Sequence, residues 1–253
     1  MSHALSPAAP PPTLEERVKR ALVPPALELW RITRREKLKG EPGLKLLPFL
    51  IDPERAALDV GANRGIWAGE MARLTDMVWA FEPNPKLFAF LASALGGQVI
   101  CRGEALSDTD GQAALMVPGS AGRYSNQQAS LSAQRVADAA HMTVGVSTAR
   151  LDSLDPPPVG FMKIDVEGHE RAVLEGARAT IARDRPAMII EIEERHSGRP
   201  LDAELDYVEA LGYRTHPIIR GHLARRADLD IARHHRSRVG RRDYVNNFVF
   251  LPE

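Results

Sequence analysis

Two short apolar segments of this 253-residue chain each end in residues that suit a nucleoside ligand. The first, residues 57–60, runs into the glycine-rich turn 61–65, and the second, residues 78–81, ends at Glu82. Glu82 follows Gly61 by 21 positions, close to the roughly 20-residue offset between a nucleotide-binding turn and the acid that binds the ribose. The spacing therefore predicts that Glu82 accepts hydrogen bonds from ribose hydroxyls.

The turn itself has the residues needed for a close approach to a ligand. Gly61 and Gly65 allow sharp backbone turns, and a helix starting near Gly65 presents free N–H groups. A dinucleotide site prefers Gly-x-Gly-x-x-Gly, whereas this turn has Asp59 two positions before its first glycine. A carboxylate there favours a cationic amino-acid group over a pyrophosphate. The alternatives are a purely structural turn and, for Glu82, an acid that only precedes a helix.

A third cluster of polar residues follows the predicted strand 161–165. Asp165, Glu167, His169 and Glu170 come at or just after the strand end, and ligands of parallel sheets bind beyond the carboxyl ends of the strands. These residues suit general-base work, metal binding or shaping of the pocket. An acidic first turn also caps a helix, which is the alternative explanation. Lys163, inside the apolar strand, is expected to pair with one of the acids.

The strand predicted over 187–192 brings further polar residues to the same edge. Glu191, Glu193 and His196 lie at or after its end, and His196 is a candidate base or acceptor-binding residue. A metal site formed by Asp165 with these three is conceivable, but we predict none. A solvated loop histidine is the alternative for His196.

Composition limits the classes of function. Lys plus Arg and Asp plus Glu both number 33, so no global charge favours nucleic acid or an anionic membrane. Cys101 is the single cysteine, which excludes an intramolecular disulfide and a cysteine metal cage. No secretory signal or membrane-spanning stretch is evident, so we expect a cytoplasmic protein. The abundance of Ala, Arg and Pro is typical of bacteria with GC-rich genomes.

The pattern of the chain predicts a disordered tail over 1–13, an N-terminal helical extension over 14–43 and one α/β domain over 44–253. From residue 56 strands alternate with helices, which predicts a mostly parallel sheet with helices on both faces. The predicted helices cover 14–22, 26–38, 44–50, 66–74, 85–95, 171–183 and 200–211. The predicted strands cover 56–60, 77–81, 98–102, 111–117, 161–165 and 187–192, with closing strands at 213–219 and 244–251. Residues 118–147 are predicted to form a long loop with one short strand near 142–146.

An arginine-rich segment, residues 220–242, separates the two closing strands. It suits a phosphorylated or carboxylated acceptor, or RNA. We interpret it as a solvated insertion because acids are interspersed, and it lacks the aromatic residues of a stacking platform.

Taken in order, these motifs resemble the FkbM family of S-adenosylmethionine-dependent methyltransferases, over roughly residues 44–252. The resemblance is carried by Asp59-Val60-Gly61-Ala62-Asn63 with Gly65, Phe81-Glu82-Pro83, Ala105-Leu106-Ser107-Asp108, Leu151-Asp152-Ser153-Leu154, Lys163-Ile164-Asp165-Val166-Glu167-Gly168-His169-Glu170 and Asn247-Phe248-Val249-Phe250-Leu251. It implies a class I methyltransferase fold (Rossmann-like α/β) with a seven-stranded, mostly parallel sheet and a C-terminal antiparallel hairpin. It also implies S-adenosylmethionine as cofactor and O-methylation of a sugar, a glycan or a natural product.

The resemblance also implies roles for individual residues. Those expected to bind the cofactor are Asp59, Gly61, Asn63 and Gly65 at the methionine part, Glu82 at the ribose, Glu104 and Ala105 at the adenine, and Asp165 at the methyl-transfer site. Asp165, His169 and His196 are our candidates for the catalytic base. We expect a small-molecule or glycan acceptor and no nucleic-acid partner. The alternative functions are an NAD-dependent oxidoreductase and a non-catalytic cofactor-binding protein.

Overall fold

The computed structural model of the protein describes residues 23–120, 123–124, 141–241 and 243–253. The tail predicted over 1–13 and the helix predicted over 14–22 lie outside these residues. In chain order the helices of the described part are α1 Pro25–Lys39, α2 Leu47–Leu50, α3 Ile66–Met71, α4 Pro85–Leu95, α5 Glu170–Gly176, α6 Arg178–Asp184, α7 Glu194–Ser197, α8 Leu201–Glu209 and α9 Ile231–His234. The strands are β1 Ala56–Val60, β2 Val78–Phe81, β3 Ile100–Arg102, β4 Ala105–Leu106, β5 Gly111–Ser120, β6 Arg123–Tyr124, β7 His141–Ala149, β8 Val159–Ile164, β9 Ala187–Glu191, β10 Tyr213–Ile219, β11 His222–Leu223 and β12 Asn247–Pro252.

The main sheet has the order β11-β10-β12-β9-β8-β1-β2-β3. The strands from β9 through β3 are paired in parallel, and β12 is antiparallel to both β9 and β10. The class I methyltransferase fold and the antiparallel closing pair are therefore confirmed. The strand number is not seven but eight in the described residues, because the two-residue β11 forms a tight hairpin with β10. A two-residue strand has no periodicity that a sequence pattern can reveal.

A second sheet, β4-β7-β5-β6, lies apart from the first. The short strand predicted near 142–146 is present as the longer β7, His141–Ala149, and the loop predicted from residue 118 is wrong at its start, because β5 continues to Ser120. These two strands pair antiparallel along eight residue pairs and bury a small apolar cluster that includes Leu115, Val117, Val144 and Val146. Residues 125–140 lie outside the described part.

Two larger apolar clusters cover the two faces of the main sheet. Strands β1 and β8 are buried at every position, as expected for central parallel strands. Leu29 of α1 belongs to the same cluster as Leu91 and Leu95 of α4. Helix α1 therefore packs against α4.

The helix predicted over 171–183 is divided into α5 and α6. Gly176 ends α5 at a position where a Cβ atom would lie 1.9 Å from the carbonyl oxygen of Ser107. The next residue, Ala177, has a non-helical ψ of 10°. The helix thus ends where Gly176 approaches Ser107. A local sequence pattern cannot predict a contact between residues so far apart in the chain.

Candidate functional site

A cleft opens at the carboxyl ends of β1, β2 and β8, beneath the second sheet. It holds about 680 Å³ of empty space, part of it open to solvent. Its lining consists of Val60, Gly61, Asn63, Phe81, Glu82, Pro83, Leu87, Glu104, Ala105, Leu106, Leu115, Asp165, Val166, Glu167 and His169. The three sequence motifs that predicted a site therefore meet in one place, as expected for parallel strands.

The glycine-rich turn has a left-handed backbone at three positions. Gly61 has φ 82°, Asn63 has φ 51° and Gly65 has φ 85°. A Cβ on Gly61 would lie 1.9 Å from the carbonyl oxygen of Asp165, so glycine lets the turn touch the end of β8. Gly61 and Asn63 line the cleft, whereas Gly65 faces α4, where a Cβ would meet Leu91 at 2.6 Å.

Asp59 lies behind the turn and does not line the cleft. Its carboxylate accepts a hydrogen bond of 2.8 Å from the backbone N–H of Ala68 in α3, and the residue is 1% exposed. Burial raises the pKa of Asp59 to about 7, although the charge of Lys163 opposes the shift. Asp59 therefore connects β1 to α3 through this hydrogen bond.

Glu82 lies in the cleft with both carboxylate oxygens oriented by the backbone. Oε2 accepts from the N–H of Asn63 at 2.7 Å, and Oε1 accepts from the N–H of Asn84 at 2.8 Å. Burial raises the pKa of Glu82 to about 7, and these two hydrogen bonds oppose that rise. Each oxygen keeps a further lone pair, so the carboxylate can still accept hydroxyl donors from a ligand.

The wall formed by β3 and β4 combines apolar and charged groups. Glu104 and Ala105 line the cleft together with Phe81 and Leu115. Arg102 donates to Glu104 at 2.8 Å. Partial burial works to raise the pKa of Glu104, but this hydrogen bond outweighs it and lowers the pKa below its ordinary value. The apolar part of the wall suits a flat ring.

The loop after β8 supplies the polar groups of the opposite wall. Asp165 is 36% exposed at its side chain, and its Oδ2 lies 3.8 Å from Nζ of Lys163. Burial raises the pKa of Asp165, against the effect of the Lys163 charge. His169 also lines the cleft, its Nε2 is 2.9 Å from Oγ of Ser107, and burial lowers its pKa.

His196 and Glu170 stand behind this wall and do not line the cleft. His196 is 5% exposed, and its Nδ1 lies 2.5 Å from the Glu167 carboxylate. Its Nε2 is buried without a hydrogen-bond partner among the described residues. Glu170 accepts from the N–H of Gly168, and burial raises its pKa to about 7. Glu167, which does line the cleft, connects His196 to it.

The environment of Lys163 could be read only in part from the sequence. Its side chain is 1% exposed and lies over the ring of Trp67 at 5.4 Å. Four acids, Glu41, Asp59, Asp165 and Glu191, act together to raise the Lys163 pKa, while burial acts to lower it. The pairing with Asp165 agrees with expectation, but no sequence pattern indicates Glu41, which lies in the turn after α1. Ser107 belongs to one of the motifs that carry the family resemblance, but no sequence pattern predicts its contact with His169.

Neighbouring acids neutralise part of the charge in the arginine-rich segment 220–242. Four of its arginines form ion pairs, Arg225 with Asp228, Arg226 with Asp206 and Glu209, Arg236 with Glu194, and Arg238 with Asp243. This agrees with the interpretation of a solvated insertion for those four.

Two further features, a cluster of metal ligands and a membrane-spanning helix, are absent from the described ranges. No group of three or more His, Cys, Asp or Glu side chains is arranged to hold a metal ion there. No helix in that part of the chain combines the length and the apolar character needed to cross a membrane.

Comparisons with solved structures find several similar chains. An FkbM methyltransferase from Methylobacillus flagellatus is 14% identical with a TM-score of 0.49, over 89% of this chain and 54% of that one. A TehB-like SAM-dependent methyltransferase from Corynebacterium glutamicum is 12% identical with a TM-score of 0.49, over 89% and 95%. A putative methyltransferase from Streptococcus mutans, solved in complex with SAH, is 9% identical with a TM-score of 0.46, over 83% and 94%. This chain thus spans about half of the Methylobacillus protein. No curated protein matches it.

The sequence itself matches the family model of the methyltransferase FkbM domain over residues 59–215. The matched segment is more than half of the chain, and the whole cleft lining described above, from Val60 to His169, falls within it. The chain therefore belongs to the FkbM family of methyltransferases, whose methyl donor is S-adenosylmethionine.

Proposed function

We propose that this protein transfers a methyl group from S-adenosylmethionine to a hydroxyl oxygen of a sugar, a glycan or a natural product. The observation that carries the proposal is the position of Glu82. It is a buried acid in the cleft, oriented by two backbone amides, with lone pairs left for two vicinal hydroxyls. A carboxylate in this setting suits a ribose.

The rest of the cleft fits the other parts of the cofactor in this proposal. Gly61 and Asn63 would bind the methionine part, and Glu104 and Ala105 would flank the adenine. Asp59 and Gly65 would stabilise the turn without contacting the cofactor, since neither lines the cleft. Asp59 would act through its hydrogen bond to Ala68.

When bound, the cofactor supplies a methyl group on a positively charged sulfur, and transfer breaks the C–S bond while an O–C bond to the acceptor forms. The protein must align the acceptor and remove the hydroxyl proton. Asp165 is our first candidate for the base, because it lines the cleft and burial raises its pKa. His169 is the second, since its lowered pKa keeps the ring neutral near pH 7. His196 would act through Glu167.

Replacement of the ribose acid tests the proposal. We expect Glu82→Gln to weaken S-adenosylmethionine binding by about 1–3 kcal/mol, because an amide donor would oppose a backbone N–H. The control is Glu54→Gln, an exposed acid outside the cleft. Isothermal titration calorimetry of both variants and the wild type measures the effect, with thermal unfolding as the test of folding.

Three outcomes would contradict the proposal. Unchanged affinity in Glu82→Gln would refute the ribose role, and binding of NAD in place of S-adenosylmethionine would favour an oxidoreductase. The acceptor class is tested by incubation with sugars, glycans and hydroxylated natural products. Mass spectrometry that finds a new methyl group on nitrogen or carbon, and none on oxygen, would overturn O-methylation.

We also keep the organisation and location of the protein as proposals. Residues 44–253 would form the methyltransferase domain and 14–43 its helical extension, supported by the packing of Leu29 on α4. A bacterial cytoplasm is supported by the single cysteine and by the abundance of Ala, Arg and Pro.

A further inference from the structure

The cleft at the ends of β1, β2 and β8, in which the proposed function places S-adenosylmethionine, is called the cofactor cleft from here on. A second cleft lies next to it, at the same carboxyl edge of the main sheet. It is bounded by the end of α1 and the turn that follows it, the β10–β11 hairpin, and the segment that enters β12. It holds about 1270 Å³ of empty space, part of it open to solvent. Its lining consists of Lys37, Leu38, Gly40, Glu41, Pro42, Lys45, Ile218, Arg220, Gly221, Asp243, Tyr244, Asn246 and Asn247.

Three side chains connect this second cleft to the surroundings of Asp165. Glu41 is close enough to Lys163 and Asp165 for both charges to act on its pKa. Asn246 donates to Glu191 at 2.8 Å. Tyr244 donates to Glu193 at 2.9 Å, and both Glu191 and Glu193 interact electrostatically with Asp165. The second cleft is therefore adjacent to the proposed methyl-transfer site.

Some of the charges on the lining of the second cleft are already paired. Lys37 contacts Glu70 at 2.6 Å, and Asp243 contacts Arg238 at 3.1 Å. Because each of the two residues is paired with one opposite charge, together they add little net charge to the second cleft.

Two cations on the same lining have no such partner. Lys45 and Arg220 are exposed, and neither makes a side-chain hydrogen bond or ion pair with any residue in the part of the chain that the structure describes. The remaining acid, Glu41, is a single carboxyl against these two cations; burial raises its pKa, and the nearby charge of Lys163 opposes that rise. The second cleft therefore carries an uncompensated positive charge at its rim.

The backbone at Arg220 points to a role for its side chain. Arg220 and Gly221 form the two-residue turn between Ile219 and His222, with φ values of 52° and 80°. Asn, Asp or Gly is preferred at the first position of such a turn, and arginine is unfavourable there. Strained positions of this kind cluster at ligand sites.

The lining also offers groups for hydroxyls. Asn247 has its side-chain oxygen buried with no hydrogen-bond partner in the described residues. A buried acceptor without a donor is unfavourable, and a ligand hydroxyl would supply the donor. The site thus combines an acceptor for hydroxyls with two free cations.

We propose that the second cleft is the acceptor site and that it binds a hydroxyl-rich, sugar-like molecule carrying a phosphate or carboxylate group. Lys45 and Arg220 bind the anionic group, and Asn247 binds a hydroxyl. This inference rests on the proposed function, since it names the acceptor class of the same enzyme.

The test uses the full chain saturated with S-adenosylhomocysteine, at fixed ionic strength. Glucose 6-phosphate, glucuronate and glucose are titrated as phosphate, carboxylate and neutral probes, and binding is followed by NMR. The variant is Lys45→Gln with Arg220→Gln. Its matched control is Arg214→Gln with Arg225→Gln, which removes the same charge at exposed positions outside the second cleft.

We expect at least one anionic probe to bind the wild type about tenfold or more tightly than glucose. The Lys45/Arg220 variant should lose this preference, while the control keeps it and S-adenosylhomocysteine binds all three proteins equally. The tighter of the two anionic probes identifies the anionic group. Retained S-adenosylhomocysteine binding with no anion preference, or with a preference that survives in the Lys45/Arg220 variant, overturns this inference alone. Failure of S-adenosylhomocysteine to bind overturns the proposed function as well.

Discussion

At the scale of single residues, the cleft depends on a buried acid whose ionisation is finely balanced. Glu82 is 5% exposed, and burial raises its pKa to about 7. Only the ionised form accepts hydrogen bonds at both oxygens. A ribose in the cleft would therefore bind the deprotonated protein more tightly than the protonated one.

Adenosine isolates this effect, since it has no group that titrates near neutral pH. We predict that its affinity rises roughly tenfold between pH 6 and pH 8, as the carboxyl of Glu82 loses its proton. Calorimetric titration at several pH values measures the rise. Glu82→Gln should remove it, and 2′-deoxyadenosine should show less of it. An affinity that falls with pH would contradict the assignment.

The sequence located the residues of the cleft better than it located their contacts. The offset from Gly61 identified Glu82, and the end of a strand identified Asp165, because parallel strands bring such positions together. Asp59 and His196 were expected at the ligand, but the structure places both behind the wall. Which way a side chain turns depends on packing partners distant in sequence, such as Ala68 and Glu167.

At the scale of elements, the cofactor cleft depends on the close approach of β1 to β8. The backbone N–H of Asp165 donates to the carbonyl of Val60 at 2.9 Å, and Gly61 follows directly. A side chain at Gly61 would meet the carbonyl of Asp165 at 1.9 Å and would also require a left-handed backbone.

We predict that Gly61→Ala destabilises the fold by about 1–3 kcal/mol and displaces Asp165, because the new methyl group overpacks the strand ends. Urea unfolding measures the first effect, and calorimetry with S-adenosylmethionine measures the loss of affinity. The matched control is Gly97→Ala, where no atom lies within 4 Å of the new Cβ. Equal behaviour of the two variants would refute this role of Gly61.

Elements with a strong local pattern appeared where the sequence predicted them. β1, α4 and β10 have the predicted bounds. The β5–β7 pair was missed in part because the stretch between the strands has a weak pattern. The division of the helix over 171–183 was missed because its cause, the approach of Gly176 to Ser107, is a tertiary contact.

At the scale of the whole molecule, burial of acids makes stability depend on pH. Burial raises the pKa values of Asp59, Glu82 and Glu170 to about 7, whereas unfolded carboxyls titrate near pH 4. Between about pH 4 and pH 7 the folded protein therefore binds more protons than the unfolded chain. This contribution to stability is full below about pH 4 and is lost as pH rises through about 7.

We therefore predict that the free energy of unfolding of the ligand-free protein falls as pH rises from about 4.5 to 7.5, on the order of 1.4 kcal/mol per shifted pKa unit. Urea unfolding at several pH values measures the slope, which Glu170→Gln should reduce and Glu54→Gln should not. The lowered pKa of His169 makes stability rise with pH instead. Its effect involves one proton, whereas the three acids involve three protons. A free energy that rises across this window would contradict the assignment.

Two other acids limit stability at lower pH. Burial favours the neutral form of Glu193, but hydrogen bonds from Arg195 and Tyr244 together with the charge of His196 lower its pKa to about 2. The hydrogen bond from Arg236 lowers the pKa of Glu194 to about 2. Their contribution is present above about pH 4.3 and is lost as pH falls through about 2. Stability should therefore be greatest near pH 4 to 5.

A crystal structure of the complex with S-adenosylhomocysteine is the most direct test of the role assigned to the cofactor cleft. We predict the two ribose hydroxyls within about 3 Å of the carboxylate oxygens of Glu82, the adenine beside Ala105 and the amino-acid part at Gly61. A ligand that occupies another surface, or one whose ribose makes no contact with Glu82, would contradict it.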